Sequence, residues 1–213
     1  MLISHRYKFI YLKSRKTAGT STEAFLERYC LSPKVEEKHE HSHGHKHIES
    51  PHGIIGDRQQ RGGKYPPHSE PNVVKKMVGK SDWDDYTKIV NIRNPYDVAV
   101  SYFLWTKQRG NLPSHTKFNQ WMERGDALRA LKSNLTFWNP RYNKYFYIRY
   151  ESLNKDIDNL MLALNLPNYS DTLPTYKADL YKRKHYKEYF NNKTKAIISE
   201  AFSEYMERFN YIF

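Results

Sequence analysis

The chain has 213 residues, 38% hydrophobic and 15% aromatic, with a formal charge of +12 and a pI near 9.5. That is enough apolar material for one sizeable core and too little chain for a second full domain, so a single domain over residues 1–213 is expected. No run of ~18 apolar residues could cross a bilayer and no leader pattern opens the chain. A soluble, cytoplasmic protein without membrane insertion is therefore expected, and the lone Cys30 excludes an internal disulfide.

In chain order, Tyr7-Lys8-Phe9-Ile10-Tyr11-Leu12 is an apolar, aromatic run of strand length. It leads through Arg15-Lys16-Thr17-Ala18-Gly19-Thr20-Ser21 into Thr22–Arg28, which has helical spacing. A strand, a loop of small residues and a helix N-terminus make an anion cradle: the first-turn amides and the positive end of the helix dipole face the ligand. Gly19 permits close backbone approach, Lys16 adds a mobile charge, and Thr20, Ser21 and Thr22 add hydroxyls. The loop is not the nucleoside-triphosphatase G-x-x-x-x-G-K-[ST], because here the lysine precedes the glycine.

Residues 32–67 form a polar stretch expected to be an irregular, flexible insertion. Within it His39, His41, His43, His45 and His47 alternate with polar residues; imidazoles suit zinc, copper or nickel, but no cysteine or helical spacing accompanies them, and no metal site is assigned. Pro71–Gly79 reads as a short helix closed by glycine, followed by Trp83-Asp84-Asp85 and the strand Tyr86–Ile92. Arg93-Asn94-Pro95-Tyr96-Asp97 then opens a helix in which Pro95 suits the first turn and Ser101 lies about two turns in. Arg93 at a strand end and Ser101 could share one phosphate; alternatively Arg93 pairs with Asp97 and Ser101 is a packing residue. Helices follow around 115–122 and 126–131, and Phe137, Trp138 and Tyr142 are candidates to line an acceptor site or to belong to a core. Tyr145–Tyr150 reads as a third strand before a helix to Leu164. The chain closes with a basic, aromatic segment, 181–190, and a helix from Asn192 to Phe209.

The loop around Lys16, paired with R-N-P-x-D-x-x-x-S at Arg93–Ser101, resembles the sulfotransferases that use 3′-phosphoadenosine 5′-phosphosulfate (PAPS), in a style similar to the carbohydrate-type and bacterial members. The resemblance covers Arg6–Phe25 and His68–Leu104, and is looser from Tyr145 onward. It implies an α/β fold with a central parallel sheet flanked by helices, similar to the P-loop nucleoside triphosphatases, and PAPS as co-substrate with no metal required. It further implies that Arg15 to Thr22, namely Arg15, Lys16, Thr17, Ala18, Gly19, Thr20, Ser21 and Thr22, hold the 5′-phosphosulfate, with Lys16 stabilising the leaving phosphate. Arg93 and Ser101 match the positions that grip the 3′-phosphate. Lys182 and Arg183, with Lys184, fall in the basic segment that helps cover the nucleotide, a segment read equally well as a solvated basic helix face, and His68 stands where such enzymes have a base, with His52, Asp57 and Glu70 as rivals.

The expected acceptor is a hydroxyl-bearing molecule, with a carbohydrate favoured and an anionic glycan suited to the basic surface. Nucleic acid is not favoured, since no recognisable motif accompanies the charge. A chain without a membrane anchor suggests a bacterial, archaeal or viral setting. Two departures stand out: Arg15 replaces the usual proline, and the histidine-rich insertion replaces a region that shapes the acceptor pocket. Two other classes stay open, a nucleotide or small-molecule kinase with a degenerate loop and a noncatalytic polyanion-binding module.

Overall fold

The computed structural model describes residues 1–41, 47–57, 63–138, 144–169, 173–174 and 183–213. In chain order the elements are β1 (Leu2–Ser4), β2 (Phe9–Leu12), α1 (Gly19–Leu26), α2 (Pro33–Glu36), β3 (Ile48–Ser50), β4 (Gly53–Ile55), α3 (Pro71–Val78) and α4 (Lys80–Asp85). There follow β5 (Thr87–Ile92), α5 (Pro95–Gln108), α6 (Phe118–Glu123), α7 (Asp126–Lys132), β6 (Tyr145–Arg149), α8 (Leu153–Ala163), α9 (Asn192–Ala201) and α10 (Ser203–Phe209). They group into two units, Met1–Ile92 with Pro140–Tyr176, and Arg93–Asn139 with Lys177–Phe213.

The first unit contains the sheet, in the order β3-β4-β1-β2-β5-β6 among the described residues. Its parallel part is β2-β5-β6, with Tyr11 opposite Ile89 and Asn91 opposite Ile148. Every residue of β2 is buried, as a strand covered on both faces requires, which is why Phe9-Ile10-Tyr11-Leu12 is apolar without alternation. Phe9, Tyr11, Ile89 and Ile148 form one core with Phe25 and Leu26 of α1 and Ile157 and Leu160 of α8. The expected α/β architecture is therefore present: a six-stranded sheet flanked by helices.

The sheet is also wider than the sequence suggested. β1 pairs antiparallel with β2 and with β4, and β3 continues the ribbon. The stretch read as irregular thus contains a short helix and a hairpin. Strands of three residues leave almost no periodic signal, and these are held by tertiary contact instead. Gly53 is one such contact: a Cβ there would meet the carbonyl oxygen of Ile3 at 2.2 Å and that of Cys30 at 2.8 Å.

The second unit is helical. Asn94 caps α5, its side-chain oxygen accepting from the Tyr96 amide at 3.1 Å, and Pro95 occupies the first turn. The expected final helix is broken at Phe202 (φ −122°, ψ 18°) into α9 and α10. Around α5, Tyr96 stacks on Tyr186 at 6.4 Å and meets Phe190 and Phe213 edge-on, while its hydroxyl bonds Ser199 at 2.6 Å. The segment after Arg183 is thereby folded onto the start of α5 within this unit.

Candidate functional site

The loop after β2 is built from its backbone. Lys16 (φ 62°) and Ala18 (φ 66°) both adopt the left-handed conformation, which side chains with a Cβ rarely take and which clusters at functional sites. Alternation of this conformation turns successive amides toward one side, the geometry of an anion-binding nest. α1 then begins at Gly19 with no side-chain cap, and the amides of Ser21 and Thr22 close its first turn on the Ala18 carbonyl at 3.0 and 3.2 Å. Gly19 is demanded by packing: a Cβ would lie 2.9 Å from Lys13 Cγ, 3.2 Å from Tyr11 Oη and 3.3 Å from the Ser14 carbonyl.

A buried polar network holds this loop to the sheet. Asn91 of β5 accepts from Tyr11 Oη at 2.6 Å and donates through Nδ2 to Thr22 Oγ1 at 2.9 Å. Its backbone carbonyl accepts from Ser14 Oγ at 2.6 Å, and Ser14 Oγ bonds Thr17 Oγ1 at 2.7 Å. Thr22 is fully buried and Thr17 nearly so, which makes their hydroxyls parts of the support; Thr20 and Lys16 are partly exposed, and Arg15 is exposed. Lys13 adds a charged anchor, donating at 2.5 Å to the buried Glu23, which also receives the Met1 amino group at 2.9 Å. Tyr11, Ser14 and Asn91 escaped the sequence reading; an asparagine inside the otherwise apolar Ile89-Val90-Asn91-Ile92 was the available signal.

His68 sits beside the start of this loop. Its Nδ1 is 2.9 Å from the Lys13 carbonyl. A carbonyl can only accept, so Nδ1 carries the proton of the neutral ring and Nε2 is left with the lone pair. Burial, helped by the charges of Lys13 and Arg15, pushes its pKa down to about 4, so the imidazole is neutral at pH 7. Its own backbone is left-handed (φ 60°). The rivals are placed differently. Asp57 is buried and accepts from the amides of Tyr65 (3.0 Å) and His47 (3.3 Å), a structural carboxylate, Glu70 is the exposed residue before α3, and His52 lies in the turn between β3 and β4.

The second group lies wholly in the helical unit. Arg93 is buried and donates to Asp97 Oδ2 through Nε (2.8 Å) and Nη2 (2.6 Å), the ion pair that the sequence left as an alternative. Arg183 reaches the same carboxylate through Nη1, and through Nη2 at 3.3 Å. These bonds and the positive charges of Arg183 and Arg93 hold Asp97 below the ordinary carboxylate range despite its burial. Ser101 is one helical turn beyond Asp97 on α5. Lys182 and Tyr142 lie outside the described residues. Phe137 is buried, and Trp138 packs edge-on against Tyr205 and Phe209, so both belong to the packing of this unit.

In the histidine tract, His39 Nε2 and His41 Nδ1 both lie 2.8 Å from Oε1 of the buried Glu27, and burial lowers the His39 pKa. Among the described residues no group of histidine, cysteine and carboxylate side chains has the arrangement of a metal site, and no helix is long and apolar enough to cross a membrane.

No protein-family profile and no curated protein matches the sequence. Among solved structures, mouse sulfotransferase SULT7A1 complexed with PAP aligns over 96% of this chain and 85% of that one, with a TM-score of 0.56 and 19% identity. The chain therefore has a sulfotransferase-type fold.

Proposed function

We propose that this protein transfers the sulfuryl group of PAPS to an acceptor hydroxyl. The observation that carries the reading is the loop after β2, where a lysine-bearing turn with two left-handed residues runs into the uncapped N-terminus of α1. A terminal phosphate or phosphosulfate suits that arrangement, and the likeness of fold to a sulfotransferase crystallised with PAP supports the choice of donor. In this reading the loop amides with Thr20 and Ser21 hold the 5′-phosphosulfate, and Arg15 adds charge at its rim. Arg93, Arg183, Lys182 and Ser101 take the 3′-phosphate that distinguishes PAPS from ordinary adenine nucleotides.

The chemistry is an in-line displacement. The acceptor oxygen forms a bond to sulfur as the bond from sulfur to the bridging phosphate oxygen breaks, and the electron pair leaves with adenosine 3′,5′-bisphosphate. Lys16 stabilises the charge growing on that phosphate. Nε2 of His68 accepts the acceptor proton. A pKa of about 4 makes it a weak base in the free protein, but two of the causes are the charges of Lys13 and Arg15. An anionic donor beside them offsets both charges and so acts to raise the His68 pKa, while burial, the largest cause, continues to hold it down. A carbohydrate hydroxyl is the proposed acceptor, and the net charge of +12 suits an anionic glycan.

The test is calorimetric titration of the full chain with adenosine 3′,5′-bisphosphate, AMP, and ATP with magnesium, at two salt concentrations. Binding of the bisphosphate at least tenfold tighter than AMP is the expected result. Preference for ATP with magnesium would assign the protein to the kinases, and weak binding of all three that collapses with salt would leave a polyanion-binding surface.

A further inference from the structure

Asp97 is the point at which two separate stretches of the helical unit meet in charge. Arg93 precedes α5, Asp97 is in its first turn, and Arg183 comes from the C-terminal segment. That segment is pinned independently. His185 caps the turn Tyr186–Tyr189, Tyr186 stacks on Tyr96, and Asn94 Nδ2 donates to Tyr186 Oη at 3.4 Å and to the Ile212 carbonyl at 2.8 Å. Left alone, two neighbouring guanidinium groups repel each other and each samples many rotamers. One carboxylate between them removes the repulsion and sets both planes by directional hydrogen bonds. Arg93 and Asp97 are buried and Arg183 is 25% exposed, so the arrangement has an inner and an outer arginine.

We propose that Asp97 is the positioning residue that confers the requirement for a 3′-phosphate, by holding Arg93 and Arg183 at the spacing of a single phosphate group. This rests on the assignment of PAPS as donor. It differs from the plain reading of the Arg93–Asp97 bond as a helix-start ion pair, because the same carboxylate also fixes Arg183, a residue of another segment. It also opposes simple electrostatics. A carboxylate beside an anion site repels the ligand, so a residue acting only through its charge would weaken bisphosphate binding. A residue acting through geometry strengthens it, and strengthens it only for ligands that carry the 3′-phosphate.

The experiment compares wild type, Asp97→Asn, Asp97→Glu, Arg183→Ala and the Asp97→Asn/Arg183→Ala double variant by calorimetry, reading the ratio of AMP to bisphosphate dissociation constants. Positioning predicts that the ratio falls at least tenfold in Asp97→Asn. It also predicts a several-fold fall in Asp97→Glu, which keeps the charge but displaces it by one methylene. In the Arg183→Ala background, Asp97→Asn should cost clearly less than it does alone, because one of the two arginines it positions is gone. A ratio that rises in Asp97→Asn and is unchanged in Asp97→Glu would make Asp97 a mere charge competitor and overturn the proposal. So would lowered melting temperatures with unchanged ratios, the mark of a structural ion pair. Should Asp97→Asn fail to fold, Asp97→Glu and the Arg183→Ala ratio carry the same decision. Wild type without preference for the bisphosphate would sink the donor assignment itself, an outcome separable from failure of the brace.

Discussion

At the scale of single residues, the loop after β2 is defined by conformation as much as by composition. Ala18 is in the left-handed region without being glycine, at a cost of roughly 1–2 kcal/mol. Such strain persists where surrounding structure enforces it, and here the packing of Gly19 and the capless start of α1 do so. Ala18→Gly relieves the strain while adding disorder to the unfolded chain, so it should leave stability unchanged or raise it by up to about 1 kcal/mol. Ala18→Val adds a β-branched side chain at the same φ and should lower stability by about 2 kcal/mol or more. Urea denaturation of the two variants checks this. Equal destabilisation by both would mean that the left-handed turn is not what the loop requires.

At the scale of elements, one amide joins the apolar core in attaching α1 to β2 and β5. Asn91 serves Tyr11 and Thr22 with its side chain and Ser14 with its carbonyl, so a single buried position joins the sheet, the loop and the helix behind it. Asn91→Leu keeps the branching of the side chain but leaves Tyr11 Oη and Thr22 Oγ1 without this partner. The expected loss is about 2–3 kcal/mol, with weaker binding of adenosine 3′,5′-bisphosphate than in wild type at equal temperature. A variant as stable as wild type would show the network to be dispensable. The same economy appears at Lys88, whose buried ammonium is satisfied by the carbonyls of Trp83 and Tyr86, both at 2.8 Å, where β5 begins.

At the scale of the whole molecule, buried ionisable groups set the response to pH. His68 has its pKa lowered to about 4 from the 6.5 of an unperturbed histidine, and His39 is lowered too, so the unfolded chain binds more protons than the folded one as pH falls. Stability is therefore lost from about pH 6.5 downward, His68 alone accounting for roughly 3 kcal/mol by pH 4. Asp57 and Asp97 are held below the ordinary carboxylate value of 3.8; the stability they contribute is present above it and lost as pH falls through their folded values. Both effects have the same sign. Calorimetric melting temperatures should be flat between about pH 7 and 8.5, fall between pH 6.5 and 4, and fall again below about 3.8. A maximum near pH 5 would contradict the assignment of neutral, buried imidazoles.

Much of this was present in the chain itself. The apolar run of β2, the small-residue loop, the glycine that closes α3, Pro95 at the start of α5 and the interval from Arg93 to Ser101 are local patterns, each fixed by residues close in sequence, and they located the parallel strands and the two candidate anion sites. What depended on contacts between distant residues was not visible there. The three-residue strands β1, β3 and β4 exist because neighbours complete their hydrogen bonds, and local propensity at that length is too weak to announce them. Thr22 turned inward because Asn91, far along the chain, offers it a donor. Arg183 joined Arg93 on Asp97 because aromatic packing folds the C-terminal segment onto α5, a pairing whose energy comes from burial and charge that only the folded chain brings together.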